Sequence, residues 1–235
     1  MPRRIGRTAL ISDRVASRRI SSSDQDYLRA IYDLGGHERL VGTGQLAGRL
    51  GLTSGTVTVA LRRLHSMGFV HYQRYRGGQL TELGQRRALE VIRHHRLIER
   101  FLVEFLDYDW NDVHEEADRL EHAISEELER RIAARVSDPT TDPHGDAIPN
   151  EALDALEDDS FRLTDALEGV PFVVVRVSDR DRDVLAHLEE IRLVPRTRGL
   201  VIRRMPFDGP LVVQIGDTEV ALGQTVSDSV FVRDV

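Results

Sequence analysis

After Met67-Gly68 the spacing of apolar residues drops from a helical period to a period of two across Phe69 to Tyr75, and this change restricts the fold more than any other feature of the chain. Upstream, Tyr27, Leu28, Ile31, Tyr32 and Leu34 share one helical face that opens at the capping residues Ser23 and Asp24 and stops at Gly35-Gly36. Two shorter helices follow. Gly44 to Leu50 brings Leu46, Ala47 and Leu50 together, Gly51-Leu52-Thr53 turns the chain, and Ser54 caps a helix with Val57, Ala60, Leu61 and Leu64 inward. Downstream, Gly77-Gly78 is expected to turn the period-two segment into Gln79-Leu80-Thr81, a β-hairpin. Helix, tight turn, helix and hairpin make a winged helix-turn-helix. Its exposed positions Thr53, Ser54, Thr56 and Thr58 carry small polar groups suited to phosphates, base edges and thymine methyls; Arg62 follows on the same helix, and Arg74 and Arg76 mark the wing tip. Gly42, Gly44 and Gly48 faintly suggest a phosphate loop, but no strand precedes them and no lysine follows.

Net charge supports a nucleic-acid partner only once it is divided along the chain. The 235 residues sum to −7, yet residues 1–80 carry 13 arginines against 5 acids, residues 81–150 carry 9 against 17, and residues 151–235 carry 10 against 17. Phosphate contacts supply much of the affinity for DNA, so DNA binding must reside in the basic third. Residues 1–22, with six arginines and one aspartate, read as a flexible basic arm that either trails in solvent or orders on DNA. The chain has no cysteine, which excludes disulfides, thiolate zinc sites and thiol nucleophiles and leaves histidine, carboxylate, amide and water as metal ligands. No apolar run approaches the roughly 18 to 20 residues of a membrane span, and none follows the basic start, so a cytoplasmic protein without a membrane partner is expected.

A long helix is predicted over Glu82 to Leu106 and a second over Asn111 to Val136. The second carries an apolar stripe of Val113, Ala117, Leu120, Ile124, Leu128 and Ile132, which needs a partner helix from this chain or another. Phe101 and Phe105 are candidates for the same seam. Residues 137–169 read as a linker rich in Pro, Asp and Gly, including Asp142-Pro143-His144-Gly145 and Ile148-Pro149, with one short helix near Asn150 to Leu156. Strand patterns at Val170–Val177, Leu211–Ile215, Val220–Leu222 and Val230–Val232, with a helix over Asp181 to Glu190, predict a small β-barrel.

The chemistry is concentrated on the two long helices. At about 100° per residue, His114, Asp118, Glu121 and His122 form one polar arc beside the apolar stripe, and His95 and Glu99, spaced i, i+4, share a face of the preceding helix. Two functional classes use such a set. A helical di-metal carboxylate enzyme, an oxidase or ferritin-like protein, needs a Glu-x-x-His motif on each of two helices and more helices than this chain supplies. A metal-sensing DNA-binding protein needs only that the ligands link a winged helix to a dimerisation domain, and it fits better.

The ordered motifs Asp26-Tyr27-Leu28-Arg29-Ala30-Ile31-Tyr32, Leu80-Thr81-Glu82-Leu83-Gly84, His95-Arg96-Leu97-Ile98-Glu99-Arg100-Phe101-Leu102, Val113-His114-Glu115-Glu116-Ala117, Leu120-Glu121-His122 and Asp142-Pro143-His144-Gly145 closely resemble the diphtheria toxin repressor family of metal-dependent transcriptional regulators. The resemblance is strong over residues 23–150 and weaker over the C-terminal part. It implies a mostly α fold with small β parts: an arm (1–22), a winged helix DNA-binding domain (23–84), a helical metal-binding and dimerisation domain (85–150), a linker (151–169) and an SH3-like, FeoA-type β-barrel (170–235). It further implies a primary metal site of Asp26, Asp118, Glu121 and His122, and an ancillary site of His95, Glu99 and His114 with an acid from the C-terminal domain, Asp181 or Asp183, of which Asp183 is taken. The iron-responsive branch carries methionine and cysteine where Asp26 and Asp118 stand. Two carboxylates there match the manganese-responsive branch, although that branch often has glutamate at position 118 and an acid at position 29. An oxygen-rich site suits Mn²⁺, with Fe²⁺ second. The implied function is repression of metal-uptake genes by a homodimer on palindromic double-stranded DNA.

Overall fold

The computed structural model describes residues 20–154, 158–207 and 209–235 and divides into two compact units, with the boundary between Ile92 and Arg93. The arm, apart from its last residues, and part of the short helix expected near Asn150 lie outside the described residues.

In the N-terminal unit, α1 spans Ser22–Asp33. Its cap is Ser21 rather than Ser23: the Ser21 hydroxyl accepts from the Asp24 amide, and the Asp24 carboxylate reaches back to Ser21, a reciprocal box. Asp24 also receives Arg63 through Nε (3.0 Å) and Nη2 (2.5 Å). α2 (Thr43–Leu50) ends at Gly51 in the left-handed region, and α3 (Ser54–Ser66) is capped by Thr53, whose hydroxyl accepts from the Thr56 amide at 3.2 Å. Such a cap contributes about 1 kcal/mol. Burial contributes more, at about 1.5–3 kcal/mol for each fully buried large apolar side chain, and Leu28, Ile31, Leu46, Val57, Leu61, Leu64 and Phe69 are all buried.

β1 (Val70–Gln73) and β2 (Gly77–Leu80) pair antiparallel. The turn between them is Arg74-Tyr75-Arg76, with Tyr75 at φ 66°, and not Gly77-Gly78 as the pattern suggested. The two glycines serve packing instead. Val41 exchanges backbone hydrogen bonds with Gly78 (2.8 and 3.0 Å), and a Cβ on Gly77 would lie 1.9 Å from the Val41 carbonyl oxygen.

α4 spans Glu82–Leu106, as its periodicity predicts. The second long helix does not form as one piece: α5 covers Val113–Leu120, α6 covers Glu126–Ala133, and a turn at Glu121–Ala123 separates them. Ser125 starts α6 by accepting from the Leu128 amide, and Glu126, Glu127 and Glu129 occupy its first turn. A cap of about 1 kcal/mol plus about 0.3–1 kcal/mol per acid near the N-terminus outweighs the few tenths that separate most helix propensities. The apolar stripe continues across this start signal and hid it. Val113 and Ala117 pack with Ile98 and Leu102; Ile132 packs with Leu97, Val136 and Ile148. Leu128 and Phe105 remain exposed.

The C-terminal sheet has the strand order β3 (Phe161–Arg162), β8 (Val230–Asp234), β4 (Pro171–Val177), β5 (Arg198–Arg204), β6 (Leu211–Ile215), β7 (Thr218–Leu222), all neighbours antiparallel. α7 (Arg182–Glu190) and the short α8 (Gln224–Asp228) accompany it. β5, Arg-Gly-Leu-Val-Ile-Arg-Arg, escaped the sequence reading because charges at both ends hide its apolar centre. Phe172, Val174, Leu185, Leu188, Val201, Val213 and Val232 form the core, and Trp110 packs against it. β4 is bulged between Val174 and Arg176.

Candidate metal centre

Arg93 to Leu106 of α4 carries the centre of the site. Glu99 is fully buried; its Oε1 lies 2.8 Å from His95 Nε2 and 3.1 Å from Nδ1 of His114, on the first turn of α5. His114 Nδ1 is also 3.2 Å from Asp179 Oδ2, just beyond the end of β4. These four residues offer ligand atoms within 4.8 Å of one another. The other oxygen, Glu99 Oε2, faces His144 Nδ1 at 3.8 Å, and neither atom has a hydrogen-bond partner among the described residues although both side chains are buried. His144 Nε2 is 2.7 Å from the Trp110 carbonyl, which can only accept, so Nε2 bears hydrogen and Nδ1 is the atom that faces Glu99. Asp142 lies within reach of the same point.

The β4 bulge explains how a loop residue is buried here. Gly145, at φ 89°, packs so closely that a Cβ would stand 2.2 Å from the Val175 carbonyl oxygen, and the Val177 amide donates to the His144 carbonyl at 2.9 Å. Asp142 Oδ1 accepts from the amides of His144 (2.8 Å) and Asp146 (2.9 Å), closing the loop on itself.

A second group shares His95. Its Nδ1 lies 2.6 Å from Glu121 Oε2 and 3.2 Å from Asp118 Oδ1, and His122 Nε2 is 3.3 Å from Glu121 Oε1. A neutral imidazole has one bare nitrogen, so His95 can give a lone pair to only one of the two groups while donating its N–H to the other. Glu121 and His122 sit on the turn that replaces the expected helix. Asp26 lies on α1 in the N-terminal unit, exposed.

Electrostatics follow from burial among opposite charges. Burial alone would raise the Glu99 carboxyl, but the His95 charge, hydrogen bonds from His114 and His95, and the nearby His144 hold it well below the usual range. Burial opposes charge on His114, yet Asp179 and Glu99 raise it to about 9. His144 is likewise raised to about 9 by Glu99 and Asp142 against its own burial. Asp142 is pushed up to about 8 by burial and by Asp146 and Glu99. Without a cation, protons on these groups balance the cluster.

The structure thus brings His95, Glu99 and His114 together, and His95, Asp118 and Glu121, with His122 beside Glu121. It does not bring Asp183 or Asp181 to either group. Asp181 Oδ1 caps α7, accepting from the amides of Asp183 and Val184, and Asp183 is exposed in the first turn; the C-terminal carboxylate at the cluster is Asp179. The cap pattern at Asp181 was the available signal, since a capping carboxylate is already engaged. Asp142 and His144 stood in a recognised motif without a role assigned to them.

In the N-terminal unit Thr53, Ser54, Thr56, Arg62, Arg74 and Arg76 are exposed. Thr58 is half-buried and its hydroxyl donates to the Ser54 carbonyl at 2.8 Å, while the Thr53 and Thr56 hydroxyls pair at 2.9 Å. Arg62 reaches over the Tyr72 ring and Arg74 over Tyr75, which leaves the guanidinium edges for phosphate. Two residues were overlooked: Val59, 64% exposed on the same helix, and Tyr75, 86% exposed at the wing tip.

Comparison with known proteins gives three domain matches in order. Residues 19–78 match the iron-dependent repressor N-terminal DNA-binding domain, residues 81–150 the iron-dependent repressor metal-binding and dimerisation domain, and residues 161–234 the FeoA domain. The chain is 33% identical over 221 residues to the iron-dependent repressor IdeR of Mycobacterium tuberculosis, covering 89% of this chain and 96% of that protein. It is 38% identical over 130 residues to the diphtheria toxin repressor of Corynebacterium diphtheriae, covering 55% and 57%. Among solved structures, a manganese-dependent transcriptional repressor in complex with manganese superposes with a TM-score of 0.82 at 34% identity, covering 90% of this chain and 100% of that one. ScaR with bound Zn²⁺ superposes with a TM-score of 0.78 at 27% identity, covering 90% and 99%.

Proposed function

Since the chain belongs to the iron-dependent repressor family, we propose that it is a Mn²⁺-responsive transcriptional repressor, with Fe²⁺ as the second metal its donors accept. The observation that carries this reading is the buried Glu99 carboxylate, ringed by His95, His114 and His144, with Glu99 Oε2 and His144 Nδ1 facing each other without a hydrogen bond among the described residues. A thiolate-free set of imidazoles and carboxylates is the donor chemistry of Mn²⁺ and Fe²⁺. The structural relative with manganese bound agrees with this choice.

A divalent cation, when bound, supplies the positive charge that offsets these clustered carboxylates and displaces protons from their histidines. Asp118, Glu121 and His122 would hold one ion, with Asp26 as the fourth donor that the family resemblance assigns. His95, Glu99, His114 and Asp179, extended by Asp142 and His144, would hold another. Asp26 belongs to α1, which shares a unit with the recognition helix α3, so restraint of α1 restrains α3. Metal and DNA then raise each other's affinity. Thr53, Ser54, Thr56, Thr58, Arg62, Arg74 and Arg76 face the operator, and two copies read a palindrome through successive major grooves. Exposed Phe105 and Leu128 suit the contact between copies. The regulated genes in this reading are those of metal uptake, and the protein works in the cytoplasm; among the described residues no helix is long and apolar enough to cross a membrane. The named relatives are repressors, and the di-metal enzyme alternative has no comparable support.

The test is an anisotropy titration of a duplex selected from a random pool, with Mn²⁺, with Fe²⁺ under argon, or with chelator. Wild type should bind about 5–150-fold tighter with metal, and Asp118→Ala and His122→Ala should lose that gain. Equal affinity in metal and chelator overturns the reading.

A further inference from the structure

His94 neighbours the site residue His95, but no motif gave it a role. It is buried on α4, and its two ring nitrogens face two acceptors: Nδ1 lies 3.2 Å from the main-chain carbonyl of Glu121, and Nε2 lies 3.0 Å from Glu129 Oε2. The second glutamate oxygen, Glu129 Oε1, receives Arg93 Nε at 2.6 Å, and Arg93 Nη1 continues to the Pro149 carbonyl at 2.5 Å. Arg93 and Glu129 are also buried. A carbonyl accepts only, and a carboxylate already bound to arginine is an ionised acceptor; hydrogen bonds from His94 and Arg93 lower the Glu129 carboxyl against the effect of burial. The ring therefore fills the space between the end of α5 and the first turn of α6, in hydrogen-bonding reach of both.

The carbonyl concerned ends α5. Glu121 follows the last residue of that helix, where main-chain carbonyls lack intrahelical donors, and it begins the turn that carries the Glu121 and His122 side chains. Ser125 then starts α6, whose Glu129 holds the other side of the ring. We propose that His94 is a positioning residue: its ring bridges the Glu121 carbonyl and the Glu129 carboxylate and so holds the turn that presents Glu121 and His122 to metal.

Coordination by His94 itself is the competing role, because His94, Glu126 and Glu129 offer atoms within 4.8 Å of one another. Arg93 decides against it. Its guanidinium already places a fixed positive charge on the same carboxylate, where a second cation would meet repulsion.

The inference rests on the reading of Glu121 and His122 as ligands, and the experiment separates the two. Full-length wild type, His94→Leu, His94→Gln and His94→Lys are titrated with Mn²⁺ by calorimetry. Trp110, the only tryptophan, reports the Glu99–His144 group, on whose imidazole it stacks at 5.4 Å. His94→Leu should lose about 10–100-fold in affinity at the Glu121 group alone, while His94→Lys, which restores hydrogen-bond donors, should stay within about threefold of wild type. Should His94→Leu fail to fold, His94→Gln carries the comparison with an intermediate loss at the same group. Leucine and glutamine variants that match wild type at the Glu121 group overturn the role, as does an equal loss at both groups that lysine does not rescue. A wild type that takes no Mn²⁺ at the Glu121 group overturns the functional reading itself.

Discussion

Glu99 Oε2 and His144 Nδ1 face each other across 3.8 Å inside the C-terminal unit, both buried and neither hydrogen-bonded among the described residues. Because His144 Nε2 donates to the Trp110 carbonyl, Nδ1 is the atom left to face the Glu99 carboxylate, which in the metal-free protein favours a proton there.

Replacing His144 by Phe keeps a ring against Trp110 and removes the donor atom. Mn²⁺ affinity at this group should fall by at least 10–100-fold, the range found when even outer partners of a metal are removed. Quenching of Trp110 on titration with Mn²⁺ is the readout, and a quench at the wild-type concentration would refute the role of His144.

The carboxylate from the C-terminal module is Asp179, so two neighbouring substitutions should part company. Asp179→Asn removes the charge beside His114 and should weaken Mn²⁺ binding by about 10–100-fold. Asp183→Asn touches an exposed first-turn residue and should leave binding unchanged. Calorimetry on both variants decides, and the reverse pattern would restore Asp183 as the ligand.

Acidity follows with a definite sign. His114 and His144 are raised from 6.5 to about 9, so their contribution to metal-free stability is fully present below pH 6.5 and is lost as pH rises through about 9. Asp142, raised from 3.8 to about 8, acts in the same direction over a lower window. Glu99 is lowered and acts oppositely, its contribution fading as pH falls below its ordinary 4.5. Chelator-treated protein should therefore melt at a lower temperature at pH 9 than at pH 6.5. Mn²⁺ affinity should rise over the same interval, by up to about tenfold per pH unit for each proton displaced. A melting temperature that climbs toward pH 9 without metal would count against the protonated cluster.

On the DNA side, arginine and valine should differ in kind. Arg62→Ala, Arg74→Ala and Arg76→Ala should each weaken binding to all sequences alike and reduce the salt slope by about 1. Val59 is exposed on α3, so Val59→Ala should remove an apolar contact of the kind that reads a thymine methyl, relaxing preference at one position by about 1 kcal/mol while leaving the salt slope alone. Binding to selected and scrambled duplexes at several salt concentrations separates the two effects.

The winged helix and α4 could be read from sequence because their signals are local: a period that changes at Phe69, caps beside apolar faces, and an uninterrupted stripe from Glu82 to Leu106. The error at Glu121–Ala123 has a local cause too, a serine cap embedded in a stripe that did not lose its phase. Asp179 and His144 could not be assigned from spacing. They meet Glu99 only because β4 bulges at Val174/Arg176 and admits the Gly145 loop, and pairing register across a sheet leaves little trace in a single sequence. Asp181 and Asp183 are equivalent by position in the sequence, and only the cap that Asp181 forms on α7 distinguishes them.

Coupling between metal and DNA is the central claim, and its reciprocity gives the most direct measurement. Mn²⁺ affinity of the full chain is determined alone and with saturating selected duplex, and duplex affinity with and without saturating Mn²⁺. Thermodynamic linkage requires that DNA tighten Mn²⁺ binding by the same factor by which Mn²⁺ tightens DNA binding, expected at about 5–150-fold. A Mn²⁺ affinity that does not change when duplex is bound would contradict the account.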